Sequence, residues 1–175
     1  MIDLLVIITT ITVIIFFNAL YVAAEFATVS ARRTKVSQMA GAGDRLAQAL
    51  LPYLENSRSL DRYVAACQIG ITISSLVLGA YGQNAIAREL VEPIASLLER
   101  FPSFAHLLGG DGGAATLVLA NTIAVTAVLI VITALQVIFG ELFPKSVAIQ
   151  YPEQLAKSVV WPMGISLKLF APLIW

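Results

Sequence analysis

Cysteine and histidine are almost absent from this 175-residue chain, which has one of each, Cys67 and His106. A single cysteine closes no intramolecular disulfide, and a single histidine builds no zinc or copper cluster. Cys67 lies in an apolar run and reads as an inert packing residue. Charge is also scarce, at 13% of residues, and it balances, with 11 Lys/Arg against 11 Asp/Glu. A neutral chain offers no basic surface for nucleic acid. HExxH, GxSxG and paired aspartates are missing, so no enzyme is predicted. GGDGG (Gly109–Gly113) reads as a flexible turn rather than a phosphate loop, because no Lys-Ser/Thr follows it. The N-terminus lacks a basic leader and a small-residue cleavage site, so Met1–Val29 is expected to be a span rather than a removable signal.

What the chain does contain is apolar length. Hydrophobic residues make up 58%, and the mean hydropathy is +0.85. That composition predicts an all-α integral membrane protein. Three runs are long enough to cross a bilayer: Leu4–Val29, Tyr63–Gly82 and Ala114–Phe143. The segment Ala31–Arg62 carries six Lys/Arg, which places it in the cytoplasm and Met1 outside. Within it, Thr34–Leu54 reads as an amphipathic helix near the membrane surface. Gln83–Gly113 is then external, with short amphipathic pieces at Leu90–Leu98 and Phe104–Leu108. The third span is expected to end at Pro144. Ser158–Trp175 is apolar but carries Pro162, Pro172 and Lys168. It is expected to form a half-inserted helix-turn-helix on the cytoplasmic side, leaving the C-terminus inside.

Two glutamates, Glu25 and Glu141, lie in or at the end of apolar spans. An intramembrane carboxylate is costly and tends to face a cavity, a partner or an ion. Helical spacing puts Asn18, Tyr21, Glu25 and Thr28 on one side of the first span. Gln68, Thr72, Ser75 and Gly79 share a side of the second, with Ser74 adjacent. Thr122, Thr126, Thr133, Gln136 and Gly140 align on the third. Small and hydroxyl residues also serve close helix packing, which accounts for many of these positions but poorly for the glutamates. In GELFPK (Gly140–Lys145), Pro144 has no N–H to give the carbonyl four residues earlier, that of Gly140. A freed carbonyl, a carboxylate and hydroxyls form an all-oxygen set suited to hard cations such as Mg²⁺, Ca²⁺ or Na⁺. The alternative is a proline that ends a helix beside a solvated Glu141. Glu25 lies roughly 10 Å from the cytoplasmic end of its helix at 1.5 Å per residue. The arrangement predicts an inward-open acidic cavity.

Three stretches, NALYVAAEFATVSARRTK, ACQIGITISSLVLG and VIFGELFPKSVA, resemble the transmembrane domain of the CNNM/CorC magnesium transporters. The resemblance runs through essentially the whole chain in the expected order. It implies a homodimer in the plasma (bacterial inner) membrane, with three crossing helices per subunit, juxtamembrane helices and an inward-facing cavity. It implies Mg²⁺ export, coupled to Na⁺ entry. A Mg²⁺ channel, or a membrane anchor for a cytoplasmic sensor, are the alternatives. The metal ligands it implies are Ser75 and Ser74, the Gly140 carbonyl, Glu141, Glu25 and Asn18. Thr28, Gln68, Thr72, Gln136 and Pro144 would line the cavity. Position 22 is Val, where many relatives carry a hydroxyl residue. Relatives continue into cytoplasmic CBS regulatory modules; residues 1–175 read as a single transport domain without them.

Overall fold

The computed structural model describes residues 2–101 and 113–174, with side chains from Leu5 onward. The expected pieces at Phe104–Leu108, His106 and most of GGDGG lie outside the described residues. Among those described there is no strand. The helices are α1 (Ile2–Ser30), α2 (Arg33–Gly41), α3 (Arg45–Glu55), α4 (Ser57–Gly82), α5 (Arg88–Arg100), α6 (Gly113–Leu135), α7 (Phe143–Gln150) and α8 (Pro152–Ile174). Wider π-helical turns, Gln83–Ala87 and Gln136–Leu142, join α4 to α5 and α6 to α7.

Three continuous helical runs are long and apolar enough to cross a membrane: Leu5–Ser30, Ser57–Arg100 and Gly113–Gln150. In the most apolar window of each, only 11%, 28% and 22% of residues are buried within the chain. Helices so apolar and so little covered by protein need lipid around them, so this is a multi-pass membrane fold.

Four boundaries differ from the sequence reading. The second run does not stop at Gly82, because no breaker occurs before Pro93 and the π turn carries the helix onward. The apolar face of α5 then packs on α6, through Ala95, Leu98 and Ala120 with Val91, Ile94 and Ile123. The third run continues through Pro144, which sits in the first turn of α7, where a missing N–H is tolerated. The amphipathic segment after the first span is two helices, broken at Gly43. Gly43 has φ +93°, a left-handed conformation that favours glycine. Asp44 then caps α3 by accepting from the backbone N–H of Leu46 and Ala47. Finally, α8 is one unbroken helix rather than a helix-turn-helix. A proline removes one ladder bond, and the buried face of α8 outweighs it: Val159, Met163 and Phe170 pack with Ala24, Tyr63, Ala66 and Cys67.

The chain divides into two compact units. One comprises Met1–Val13 and Leu76–Leu135; the other comprises Ile14–Ser75 and Gln136–Trp175. In the second, Val36, Ala40, Ala47 and Leu50 from α2 and α3 pack with Ala27, Ala148, Ala156 and Val160. Two ion pairs fasten this packing. Lys35 Nζ donates to Glu153 at 3.1 Å, and Lys157 Nζ donates to Asp44 at 2.6 Å. Burial alone would raise the Glu153 carboxyl, but hydrogen bonds from Lys35 and backbone N–H groups hold it below the usual range.

Candidate cation site

The site grows from one proline. Pro144 cannot donate to the carbonyl of Gly140, the residue four before it, and the helix here opens into the π turn Gln136–Leu142. The Gly140 oxygen takes a side-chain donor instead: Asn18 Nδ2, at 3.2 Å. Asn18 is fully buried on α1. A buried amide needs partners, and this bond provides one. Position 140 must stay small, because a Cβ there would lie 2.8 Å from Asn18 Nδ2.

Ser75 of α4 extends the network. Its hydroxyl has one proton, held mainly by the Ile71 carbonyl at 2.8 Å, with Asn18 Oδ1 at 3.4 Å. Gln136 Nε2 donates to Ser75 Oγ at 2.5 Å. Three segments distant in sequence thus bring Asn18, Ser75, Gln136 and the Gly140 carbonyl together, all within the second unit. The cluster is rich in oxygen and carries no charge of its own. Among the described residues, no three His, Cys, Asp or Glu side chains form a group that could hold a metal. A cation here would rely on neutral oxygens and on the carboxylate next in the chain, Glu141.

The remaining predicted residues fall elsewhere in the structure. Glu141 adjoins Gly140 in sequence, and its side chain is exposed. Pro144 is buried. Ser74 is buried, but its hydroxyl returns to the Gly70 carbonyl of its own helix. Thr72 is exposed and bonds back to Gln68 O at 2.8 Å. Glu25 is half-buried, with the Gln68 amide in hydrogen-bonding reach and Lys145 in its field. Thr28 is buried beside Tyr63, and neither hydroxyl has a hydrogen-bond partner of normal geometry. Thr122, Thr126 and Thr133 are exposed, whereas Gln136 is half-buried and Gly140 buried. Within the chain, therefore, the three threonines are uncovered while Gln136 and Gly140 are not. Lys145 was not anticipated. Its ammonium lies 4.3 Å from the centre of the Phe26 ring, a cation–π distance. Its place four residues after Glu141 was the available signal.

Residues 8–175 match the family described as the cyclin M transmembrane N-terminal domain, CNNM. The chain is 36% identical over 163 residues to the UPF0053 protein YugS of Bacillus subtilis, covering 93% of this chain and 31% of that protein. It is 30% identical over 163 residues to the UPF0053 protein sll0260 of Synechocystis, covering 93% and 32%. It is 33% identical over 168 residues to the polyamine export protein of Haemophilus influenzae, covering 96% and 34%. The chain thus spans about a third of the length of these relatives.

Proposed function

This chain belongs to the cyclin M (CNNM) transmembrane-domain family, and we propose that it carries Mg²⁺ out of the cytoplasm. One observation supports the reading above the rest. Asn18, Ser75, Gln136 and the Gly140 carbonyl converge beside the sequence position of a carboxylate, Glu141. Mg²⁺ requires near-octahedral oxygen ligands at roughly 2.0–2.1 Å and sheds water reluctantly. Amide hydrogens of Asn18 and Gln136 now point at the oxygens of Gly140 and Ser75. Mg²⁺ would displace those donors, with Asn18 turning its carbonyl inward. Glu141 supplies charge, and Glu25 balances the rest or serves a Na⁺ that drives export. Nothing in this reading calls for bond-making chemistry, so it is a transporter rather than an enzyme.

The assembly belongs to the same proposal. The domain works as a homodimer in the plasma membrane, with the N-terminus outside and the C-terminus in the cytoplasm. In the full-length protein, on this proposal, it joins cytoplasmic CBS modules. Cysteine labelling from each side decides the orientation, and crosslinking in membranes decides the dimer.

A second reading has its own observation, since one relative is named a polyamine export protein. A carbonyl, a hydroxyl and a carboxylate also accept hydrogen bonds from an ammonium group. Calorimetry with the purified chain separates the two. The Mg²⁺ reading expects heat of binding from Mg²⁺ that Glu141→Gln removes while the fold survives. Heat from spermidine alone, with none from Mg²⁺, would transfer the site to polyamines.

A further inference from the structure

We propose that α3, α4 and α8 form a binding site for an anionic phospholipid, distinct from the cation site. Two adjoining hollows, of about 320 and 280 Å³, lie in the second unit. They share Tyr53, Gly164 and Lys168, so they flank the Lys168 side chain. A Cβ at position 164 would meet nothing within 4 Å, so the glycine leaves open space. The larger hollow also takes in Ser59 and Arg62 from the start of α4. Two cationic groups, a hydroxyl and a phenol therefore share one concavity. Among the described residues, no carboxylate lines either hollow.

The rest of the surface is apolar. Trp161 and Ile165 border the smaller hollow, and Leu169 and Leu173 continue the row at four-residue spacing. These four are 68–70% exposed, the barest face of α8. A row of large apolar side chains beside a cationic hollow matches one molecule with both parts, a phosphate headgroup carrying acyl chains. Arg62 and Lys168 hold the phosphate, Ser59 donates to it, and the chains lie along Trp161 to Leu173. Two cationic side chains in one concavity favour a net-negative headgroup, and among the described residues no acidic group lines it to hold a choline or ethanolamine ammonium. Arg62 lies near the start of the second apolar run, Ser57–Arg100, and Lys168 shares its hollow, so the proposal puts both charges at headgroup depth. Trp161 is the side chain type that anchors at that depth.

The chain has two tryptophans, so Trp175→Phe leaves Trp161 as the sole reporter. This variant is reconstituted in phosphatidylcholine vesicles with a minor fraction of phosphatidylglycerol. Brominated chains are placed on one lipid or the other at equal mole fraction. The site predicts quenching by brominated phosphatidylglycerol with a preference on the order of tenfold, from two basic groups near the surface. Arg62→Gln with Lys168→Gln should abolish the preference and leave quenching by brominated phosphatidylcholine intact, which also reports that α8 remains folded and lipid-facing. Arg62→Lys with Lys168→Arg should retain it. Equal quenching by the two lipids, or a preference that survives the double Gln variant, overturns the proposal. So does displacement of the preference by inorganic phosphate, which would make this a small-anion site. Absence of quenching by either lipid would mean that protein, such as a second copy, covers the face, and the proposal fails.

Discussion

The side-chain amide of Asn18 donates to the carbonyl oxygen of Gly140 across 3.2 Å, joining residues 122 apart in sequence. The bond exists because Pro144 withholds the N–H that a regular helix would give that oxygen. It requires a side chain on α1 short enough to remain buried and polar enough to donate. It also requires no side chain at position 140. Asn18 and Gly140 therefore constrain each other, and each substitution tests the other's role.

Gly140→Ala places a methyl group 2.8 Å from Asn18 Nδ2. Crowding of this kind costs about 1–3 kcal/mol when neighbours cannot yield. If the cluster binds the cation, Mg²⁺ affinity shifts by about tenfold, since 1.4 kcal/mol is a factor of ten. Helical content by circular dichroism stays at the wild-type level. Wild-type affinity in this variant would remove the Gly140 carbonyl from the site.

Ser75→Ala takes away the acceptor of the Gln136 amide and one oxygen of the cluster. A part-buried donor left without a partner costs about 1–3 kcal/mol. Binding and transport should drop together. Ser74→Ala should do less, because that hydroxyl bonds only to its own helix at Gly70. Val77→Ala, on an exposed position, should leave both unchanged. Equal losses at Ser74 and Ser75 would mean that the ion-bound arrangement recruits both.

Much of this was legible in the sequence, for identifiable reasons. The three spans follow from apolar length alone. The Gly140 carbonyl followed from Pro144, because a missing N–H has one defined victim. The threonines of the third span, Thr122, Thr126 and Thr133, are exposed within the chain, because hydroxyls do not by themselves mark a face buried in it. Thr122 satisfies itself by donating to Val118 O at 2.9 Å and so tolerates an outward position. The buried residues of α6 are instead Thr116, Ala120, Ala124, Val128 and Ile132, mostly small or apolar. The π turn then changes the winding before Gly140, which counting at 3.6 residues per turn cannot anticipate. The same counting put Ser74 beside Ser75, though only Ser75 joins the cluster.

Asp44 provides a pH test outside the membrane spans. Its carboxyl is held below the usual aspartate range, first by the Lys157 hydrogen bond and then by the N–H groups of Ala47 and Leu46. A folded value below the unfolded one means the stabilisation is complete above the unfolded value. It is lost as pH falls through the folded value. Asp44→Asn keeps a capping oxygen but gives up the charge. Its melting temperature should lie below wild type at neutral pH. The gap should narrow as pH drops below about 3.9, the ordinary aspartate value. A gap that is constant across that range would show that the Lys157 contact contributes nothing.

Gly70 and Tyr21 give a packing test independent of the cation. A Cβ on Gly70 would come within 2.6 Å of three Tyr21 ring atoms. The ring has little freedom to retreat, because its hydroxyl is hydrogen-bonded to Ser166 Oγ at 3.0 Å. Ser166 sits on the buried face of α8, so the contact links α1, α4 and α8 within one unit. Gly70→Ala should therefore destabilise the chain by about 1–3 kcal/mol through overpacking. Tyr21→Phe frees the ring from Ser166 and, taken alone, costs only a modest hydrogen bond, about 1 kcal/mol. In the double variant the unanchored ring can shift, so the two losses should sum to more than the measured total. Chemical denaturation of all four proteins in the same detergent gives the cycle. Strict additivity would mean that the Tyr21–Ser166 bond does not hold the ring against Gly70.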